Sequence, residues 1–284
     1  MASHGPTLRR YADPAVFRAR VEPWLLEHEA EHNILLGILA KLVSGPHEYE
    51  PPLYFASIEL DGAVAGCGFR TPPYKMGLTR IPVEAIDVLV DDVAAVYETL
   101  PSVLGREEDA GRFADAWCRR KGLAWAFGAR QRIHRLDRLV EPAVRPPGAL
   151  RQARDDERPL VVRWLDAFVE DPRIGGAGGV AIADVLFAER QVFLWDDQGP
   201  EAMVGVPGFT PHGARVGYVY TPPDRRGRGY ATAATAALSR QLLDAGRRFC
   251  VLFTDLANPV SNRIYAKLGY APVCDVVDAV FSRT

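Results

Sequence analysis

The residue pattern with the clearest chemical meaning is a short turn rich in glycine and arginine, Arg226-Gly227-Arg228-Gly229-Tyr230-Ala231. A predicted strand ends at Tyr220 before this turn, and a predicted helix begins at Tyr230. Glycines let a ligand approach the backbone closely because they carry no side chain. The first turn of a helix has N–H groups without intrahelical partners, and the helix dipole favours negative charge there. We therefore expect the amides of Gly227 to Thr232 to bind a diphosphate.

The same spacing, R-x-x-G-x-[GA], also occurs at Arg173–Gly178. A chain this rich in arginine and glycine is expected to match so short a pattern by chance. The second copy follows Asp171-Pro172 and precedes no clear helix start. Only the Arg226 copy lies between a strand and a helix, so we interpret the Arg173 copy as a chance match in a loop.

A second group of candidate residues follows the next predicted strand, in the segment CVLFTDLANPVSNRIYAKLGY. Asn258 suits the N-cap of a helix, with Pro259 at the first helical position. Tyr265 then lies about two turns along that helix. Gly269 is expected to end the helix as its C′ residue.

Together these segments resemble the GNAT superfamily, the GCN5-related N-acetyltransferases, which transfer acyl groups from acyl-CoA to amines. The stretch PPDRRGRGYA is similar to the family's motif A. The family's downstream pattern is an Asn, a Tyr seven residues later and then a small-aromatic pair. This chain has them in the same order, as Asn258, Tyr265 and Gly269-Tyr270. The resemblance covers most of residues 148–284.

The resemblance implies that an amine attacks the thioester of acetyl-CoA directly, without an acyl-enzyme. The edge of the third strand would bind the pantetheine amides as an added strand, and an N–H near Val219 would polarise the thioester carbonyl. Tyr265 would protonate the leaving thiolate, or else only pack in the core. Asn258 would be a helix cap, a cofactor ligand or both. The residues assigned to the cofactor are Val219, Tyr220, Thr221, Arg226, Gly227, Arg228, Gly229, Tyr230, Ala231, Thr232 and Asn258.

The general base is not identified by the resemblance. Some family members carry a Glu on the strand before the Asn, where this chain has Phe253. The nearest carboxylates in the sequence are Asp255, Asp166, Glu170 and Asp171, and a water chain would also serve. A different class of function stays open, a non-catalytic acyl-CoA-binding or regulatory protein. A nucleotide-phosphate module fits poorly, because GxxxxGK[ST] is absent and the dinucleotide fingerprint is incomplete.

The order of predicted elements indicates an α/β (α+β) chain of two GNAT-like domains, each a mixed, mostly antiparallel sheet flanked by helices. Helix, hairpin, strand and helix occur in both halves, and the proline-rich connector Val140–Gly148 lies between them. We place the domains at residues 1–145 and 146–284. After the third strand of the first half, Tyr74–Ile81 lacks the phosphate-binding pattern. The first domain is therefore expected to be a degenerate copy that has lost cofactor binding.

Composition narrows the classes of partner and location. The chain has 48% hydrophobic and 25% charged residues and a formal net charge of −2, which is ordinary for a soluble protein and shows no nucleic-acid footprint. Its four Cys are scattered, and no apolar segment opens the chain or reaches membrane-spanning length. We expect a cytoplasmic protein with a small-molecule or peptide amine as acceptor, and without metal, nucleic acid or membrane.

Two histidines have spacing that a metal site could use. His28 and His32 are expected on one face of a helix predicted over Val16–Leu42 and broken at Pro23. Glutamates alternate with them, and no HExxH surrounds them. A solvated helix face is therefore favoured over a metal site.

Overall fold

The structure is a computed structural model that describes residues 5–45, 49–169 and 178–283. Contacts divide the chain into two compact units: unit 1 is residues 1–131 with 274–284, and unit 2 is residues 132–273. The predicted boundary between residues 145 and 146 divides the chain into two sequence repeats, and that division stays a prediction. By contacts, residues 132–145 belong with unit 2, and the C-terminal residues belong with unit 1.

The secondary structure alternates between strands and helices along the whole described chain. In order, the elements are β1 Thr7–Arg10, α1 Pro14–Glu27, α2 Asn33–Ser44, β2 Tyr54–Leu60, β3 Ala63–Arg70, β4 Met76–Leu78, α3 Ile86–Val96, β5 Ser102–Gly105, α4 Glu107–Lys121, β6 Leu123–Leu136, β7 Ala149–Gln152, α5 Arg158–Val169, α6 Gly179–Ala188, β8 Val192–Asp196, β9 Pro200–Phe209, β10 Gly213–Tyr220, α7 Tyr230–Asp244, β11 Phe249–Asp255, α8 Pro259–Lys267 and β12 Ala271–Arg283.

Unit 1 is a mixed sheet with helices on both faces. Its strands lie in the order β1-β2-β3-β4-β5-β12-β6, and β4 and β5 form the parallel pair. Side chains alternate across β2: Tyr54 and Ala56 pack with α3 and α4, whereas Phe55 packs with α1 and α2. This alternation is the period of two that a strand buried on both faces requires.

The first helix differs from its prediction. The expected break at Pro23 is wrong, because α1 continues through Pro23 to Glu27. Asp13 caps its start by accepting the Ala15 N–H at 2.7 Å. The buried residues Phe17, Val21 and Leu25 hold the helix to the sheet, and their packing offsets the hydrogen bond that proline cannot donate.

The two spaced histidines also differ from their prediction. They lie in the bend between α1 and α2 instead of on one helix face. His32 is buried, its ring stacks on Trp24, and its Nδ1 lies 3.0 Å from the Leu25 carbonyl oxygen. The solvated face is therefore wrong for His32, which is a core residue. Among the described residues, no group of three or more His, Cys, Asp or Glu side chains could hold a metal ion.

Unit 2 repeats the mixed, mostly antiparallel design. Its strands lie in the order β6-β11-β10-β9-β8-β7, and β10 and β11 form the parallel pair. One face of this sheet packs against α7 and α8, and the other against α5 and α6. No helix in the described ranges has the length and hydropathy needed to cross a bilayer.

In unit 1, side-chain carboxylates occupy the ends of the parallel pair. Asp109 accepts the Ile81 N–H at 3.1 Å in the loop that follows β4. Glu31 bridges Arg106, with both bonds at 2.7 Å, and Arg80, at 3.3 and 3.5 Å. Burial raises the pKa of Glu31, but the bonds from Arg106 and Arg80 outweigh this and lower it to about 2. The loop after β4 is thus held by internal anions.

We predict that Glu31→Gln lowers the free energy of unfolding of unit 1 by about 2 kcal/mol at pH 7, because it leaves two arginines without their anion. The folded pKa of Glu31 lies below its unfolded value. Its stabilisation is therefore present above the unfolded pKa and is lost as pH falls towards 2. Urea denaturation at pH 7, 5 and 3 should show the wild-type advantage shrinking.

Glu98→Gln is the matched control, because Glu98 is an exposed residue of the same unit. The control should unfold like wild type at every pH. Equal unfolding of Glu31→Gln and wild type at pH 7 would show that the Glu31 bridge contributes no stability.

Candidate functional site

The parallel strands of unit 2 pair over only a short length. Residues Gly213–Arg215 of β10 pair with Phe249–Val251 of β11. Both strands continue, to Tyr220 and to Asp255, and within the described chain no pairing joins them beyond this point. The C-terminal part of β10 therefore presents an open edge, which is the kind of edge that an extended ligand can join through backbone hydrogen bonds.

A β-bulge turns the open end of β10. Tyr218 has a left-handed backbone with φ 52°, and the pairing with β9 slips between Gly217↔Gly205 and Tyr220↔Met203. The extra residue reverses the side-chain alternation. Val216 packs with the α7 cluster, whereas Tyr218 and Tyr220 pack with the α5 cluster. The predicted pantetheine residues Val219, Tyr220 and Thr221 lie at and after this bulge.

The predicted phosphate loop, Arg226–Ala231, follows β10 and is shaped by two left-handed glycines. Gly227 has φ 80°, and Gly229, the N-cap of α7, has φ 86°. Residues with a Cβ are strained in this region. A Cβ on Gly227 would meet no described atom within 4 Å. Backbone conformation, and not crowding, therefore requires glycine at this position.

The start of α7 leaves its first amides available. The first bond of the helix runs from the Ala233 N–H to the Gly229 carbonyl at 3.0 Å. The N–H groups of Tyr230, Ala231 and Thr232 have no acceptor within the helix. Arg226, Gly227, Arg228 and Gly229 are exposed. The turn thus has the features of an anion site.

Carboxylates on the β8–β9 hairpin hold this loop in place. Glu201 accepts Arg225 Nη1 at 2.6 Å, and the Pro200 carbonyl accepts it at 2.9 Å. The buried Tyr230 donates its hydroxyl to Asp197 at 2.9 Å. Only the backbone of Tyr230 can therefore face an anion at the loop.

Arg226 closes the loop on itself. Its Nε donates to the Thr221 carbonyl at 3.0 Å. The guanidinium therefore links the end of the open strand edge to the phosphate loop. This bond gives Arg226 a structural part in the loop, and the remaining guanidinium N–H groups lie on an exposed side chain.

Asn258 is the N-cap of α8, as the cap interpretation predicted. Its side chain accepts the Ser261 N–H at 3.1 Å, and Pro259 follows at the first position. A residue missed by the sequence argument, Asn262, joins the same junction. It accepts from the Thr254 hydroxyl at 2.6 Å and donates to the Asp255 carbonyl at 3.0 Å. Its i, i+4 spacing from Asn258 could have indicated this shared position.

Tyr265 lies in the core of unit 2, at the end of α8. Its ring packs edge-on against Tyr270 with centroids 6.0 Å apart. Gly269, with φ 96°, ends the helix, and the Tyr270 N–H bonds the Tyr265 carbonyl at 3.0 Å. Burial raises the pKa of the Tyr265 hydroxyl to about 12, against a smaller lowering by Thr235. The phenol is therefore protonated at neutral pH.

The two described carboxylates among the general-base candidates each accept a backbone N–H. Asp166 accepts the Gly179 N–H at 2.8 Å, at the start of α6. Asp255 accepts the Ala257 N–H at 2.8 Å, before α8. The other two base candidates, Glu170 and Asp171, lie outside the described residues, as does Arg173 with most of the second glycine pattern.

Sequence comparison matches part of unit 2 to a known family. A family model described as FR47-like protein matches residues 199–276, which include the open edge, the phosphate loop and α8. No curated protein matches the sequence.

Solved structures match the chain over nearly its whole length. A GNAT-family acetyltransferase from Colwellia psychrerythraea is 12% identical with a TM-score of 0.59, covering 97% of this chain and 100% of that one. A GCN5-related N-acetyltransferase from Sphaerobacter thermophilus is 15% identical with a TM-score of 0.61, covering 96% and 94%. A tandem GNAT protein from the clavulanic acid biosynthesis pathway is 14% identical with a TM-score of 0.53, covering 98% of each chain.

These likenesses define the fold. The chain has the tandem GNAT fold, and the predicted α/β class with two GNAT-like mixed sheets is confirmed. At identities of 12 to 15%, the neighbours carry no substrate or activity over to this chain.

The left-handed loop gives a prediction that needs no ligand. We expect Gly227→Ala to lower the free energy of unfolding of unit 2 by about 1 kcal/mol, because alanine is strained at φ 80°. Gly227→Asn should cost less, since asparagine tolerates this region. Urea denaturation of the three proteins checks the order. A loss with asparagine as large as that with alanine would point to crowding instead of backbone strain.

Proposed function

We propose that the chain is an N-acetyltransferase that uses acetyl-CoA as its co-substrate. The observation that carries the proposal is one continuous path along β10: an open edge with a bulge at Tyr218, followed by a left-handed glycine loop at the start of α7. Such a path offers backbone groups to an extended amide chain and then to a diphosphate. Acetyl-CoA carries these two groups in the same order.

In the proposed complex, the amides of Gly227 to Thr232 bind the diphosphate, and the side chains of Arg226 and Arg228 add positive charge. The backbone of Val219, Tyr220 and Thr221 bonds the pantetheine amides as an added strand. The anchoring of Arg225 and Tyr230 to the β8–β9 hairpin supports this proposal, because it holds the loop in shape before a ligand arrives.

The proposed reaction is direct transfer. The acceptor amine attacks the thioester carbon and forms the C–N bond, and an N–H near Val219 stabilises the resulting oxyanion. Collapse of this tetrahedral species then breaks the C–S bond. The Tyr265 hydroxyl gives its proton to the thiolate, the proton of the amine goes to solvent, and solvent returns a proton to the Tyr265 phenolate. A raised pKa keeps the Tyr265 proton in place but makes its transfer costlier. Substitution of Tyr265 therefore tests whether this residue is the general acid or only packs in the core.

The acceptor is proposed to be a small-molecule or peptide amine. The cytoplasmic location and the expectation of no metal, nucleic-acid or membrane partner stay predictions from composition. Asp166 and Asp255 are weak candidates for the general base, because each already accepts a backbone N–H. Removal of the amine proton through water is the arrangement we propose.

We predict that acetyl-CoA and CoA raise the melting temperature of the wild-type chain and that ATP does not. A ligand at 100 times its Kd adds about 2.7 kcal/mol to the free energy of unfolding. Gly229→Glu should abolish the shift, because it places a carboxylate at the anion site. Differential scanning fluorimetry measures all of these combinations.

The matched control for this variant is Gly246→Glu. Gly246 is an exposed glycine with φ 93° at the other end of α7, so its substitution carries similar backbone strain and the same charge. It should melt lower but still respond to CoA. If wild type responds to neither CoA species, the proposed cofactor site does not exist.

We predict that Tyr265→Phe lowers kcat by about 10²-fold or more and leaves the Kd for acetyl-CoA nearly unchanged. Release of CoA with a panel of primary amines, followed by chromatography, measures turnover. Tyr270→Phe is the control, since Tyr270 is equally buried and its hydroxyl bonds Ser239 at 2.8 Å. Equal losses in both variants would assign Tyr265 to packing.

Wild type and both variants could all bind acetyl-CoA yet acetylate none of the amines. That result would favour the second class of function, acyl-CoA binding without catalysis. The buried position of Tyr265 in the core cluster of unit 2 is the observation behind that alternative.

A further inference from the structure

The proline-rich segment Leu139–Gly148 lies within unit 2 and contacts it at several points along its length; we name this segment the strap. The sequence indicated a connector, with Pro142, Pro146 and Pro147 excluding regular structure. Its backbone and side chains make contacts with α7, α8 and β8.

The first part of the strap is held to the helices of unit 2. The Val140 N–H donates to the Leu268 carbonyl at 2.9 Å, at the end of α8. Glu141 accepts Arg240 Nε at 2.7 Å, and Arg240 belongs to α7. The strap therefore meets α7 on the half of the helix away from the phosphate loop.

The last part of the strap is held to β8. The Pro147 carbonyl accepts the indole N–H of the buried Trp195 at 2.9 Å. Gly148 has φ 101°, and a Cβ there would overlap the Asp196 carbonyl oxygen. Asp196 directly precedes Asp197, the residue that anchors Tyr230. The end of the strap is thus held close to the hairpin that carries the loop.

Between these ends, the strap passes the N-cap of α7. A Cβ placed on Gly229 would lie 3.8 Å from Pro146 Cδ and 4.0 Å from Cγ. Arg145 precedes Pro146 and is the single basic residue of the strap. Its guanidinium carbon lies 5.3 Å from the centre of the Trp195 ring, and the residue is exposed. Arg145 thus belongs to a segment that passes the N-cap of α7, and its guanidinium lies over the Trp195 ring.

The guanidinium of Arg145 differs from that of Arg225 in its partners. Arg225 is neutralised by Glu201. Arg145 rests against an aromatic ring, and in the described part of the chain it forms no ion pair with a carboxylate. Stacking on a ring face leaves the N–H edge of a guanidinium free to donate. Arg145 therefore has the free donors that a phosphate needs.

We propose that Arg145 binds the 3′-phosphate of CoA and makes unit 2 selective for the 3′-phosphorylated cofactor. This inference rests on the proposed function. With the diphosphate at the start of α7, the strap beside Gly229 would be within reach of the adenosine end of the cofactor. The 3′-phosphate carries charge beyond the diphosphate, and the amides of Gly227 to Thr232 are already used by the latter.

The test compares CoA with 3′-dephospho-CoA by isothermal titration calorimetry on the full chain. Wild type should bind CoA more tightly than the dephosphorylated form. Arg145→Ala should weaken CoA about tenfold, the effect of one lost charge-assisted contact at an exposed site, and leave 3′-dephospho-CoA unchanged. Arg145→Lys should recover part of the preference, because it restores the charge without the planar fork.

Arg248→Ala is the matched control. Arg248 is exposed and lies just beyond the other end of α7, so its substitution removes the same charge far from the loop. It should leave both affinities unchanged. If Arg145→Ala loses equal affinity for both ligands, the proposed contact with the 3′-phosphate is overturned. The strap would then only support the loop. Equal binding of both ligands by wild type would also overturn the contact, and no binding of either would remove the proposed function itself.

Discussion

The site in unit 2 depends on the early end of pairing between β10 and β11. Because the strands pair only at Gly213–Arg215, the rest of β10 keeps a free edge inside a folded sheet. A free edge in a sheet interior is normally unfavourable, since its backbone groups lack partners. The bulge at Tyr218 turns these groups, and the loop ending at Gly229 follows from the same edge.

An open edge and a left-handed loop would be poorly defined without supports. The supports come from elements distant in sequence: Asp197 and Glu201 on the β8–β9 hairpin, and the strap beside Gly229. These contacts explain why the loop can hold two left-handed residues and still leave its amides unused. The stability of the loop is provided by the hairpin and the strap, so the exposed groups remain available.

Sequence patterns predicted the elements with long periodic signals, among them β6, α7 and α8, and placed the phosphate loop between strand and helix. They missed β1, β4 and β5, which are too short to show alternation, and α6, whose sequence GVAIADVLFA is almost wholly apolar and has no clear period. The Tyr218 bulge was not predictable, because a left-handed tyrosine is imposed by its neighbours. The Glu31 bridge joins residues 49 and 75 positions apart.

Both units have positive groups and unpaired amides at the end of a parallel strand pair. The two units differ in what these groups bind. Unit 1 supplies its own counterions, Glu31 and Asp109. Under the proposed function, unit 2 leaves the equivalent turn to a soluble anion, the diphosphate of the cofactor. Cofactor binding would then stabilise the folded state of unit 2, because a ligand that binds only the folded state shifts the folding equilibrium. The resistance of unit 2 to proteolysis in the cell would rise and fall with the CoA pool, whereas the Glu31 bridge of unit 1 needs no soluble ligand.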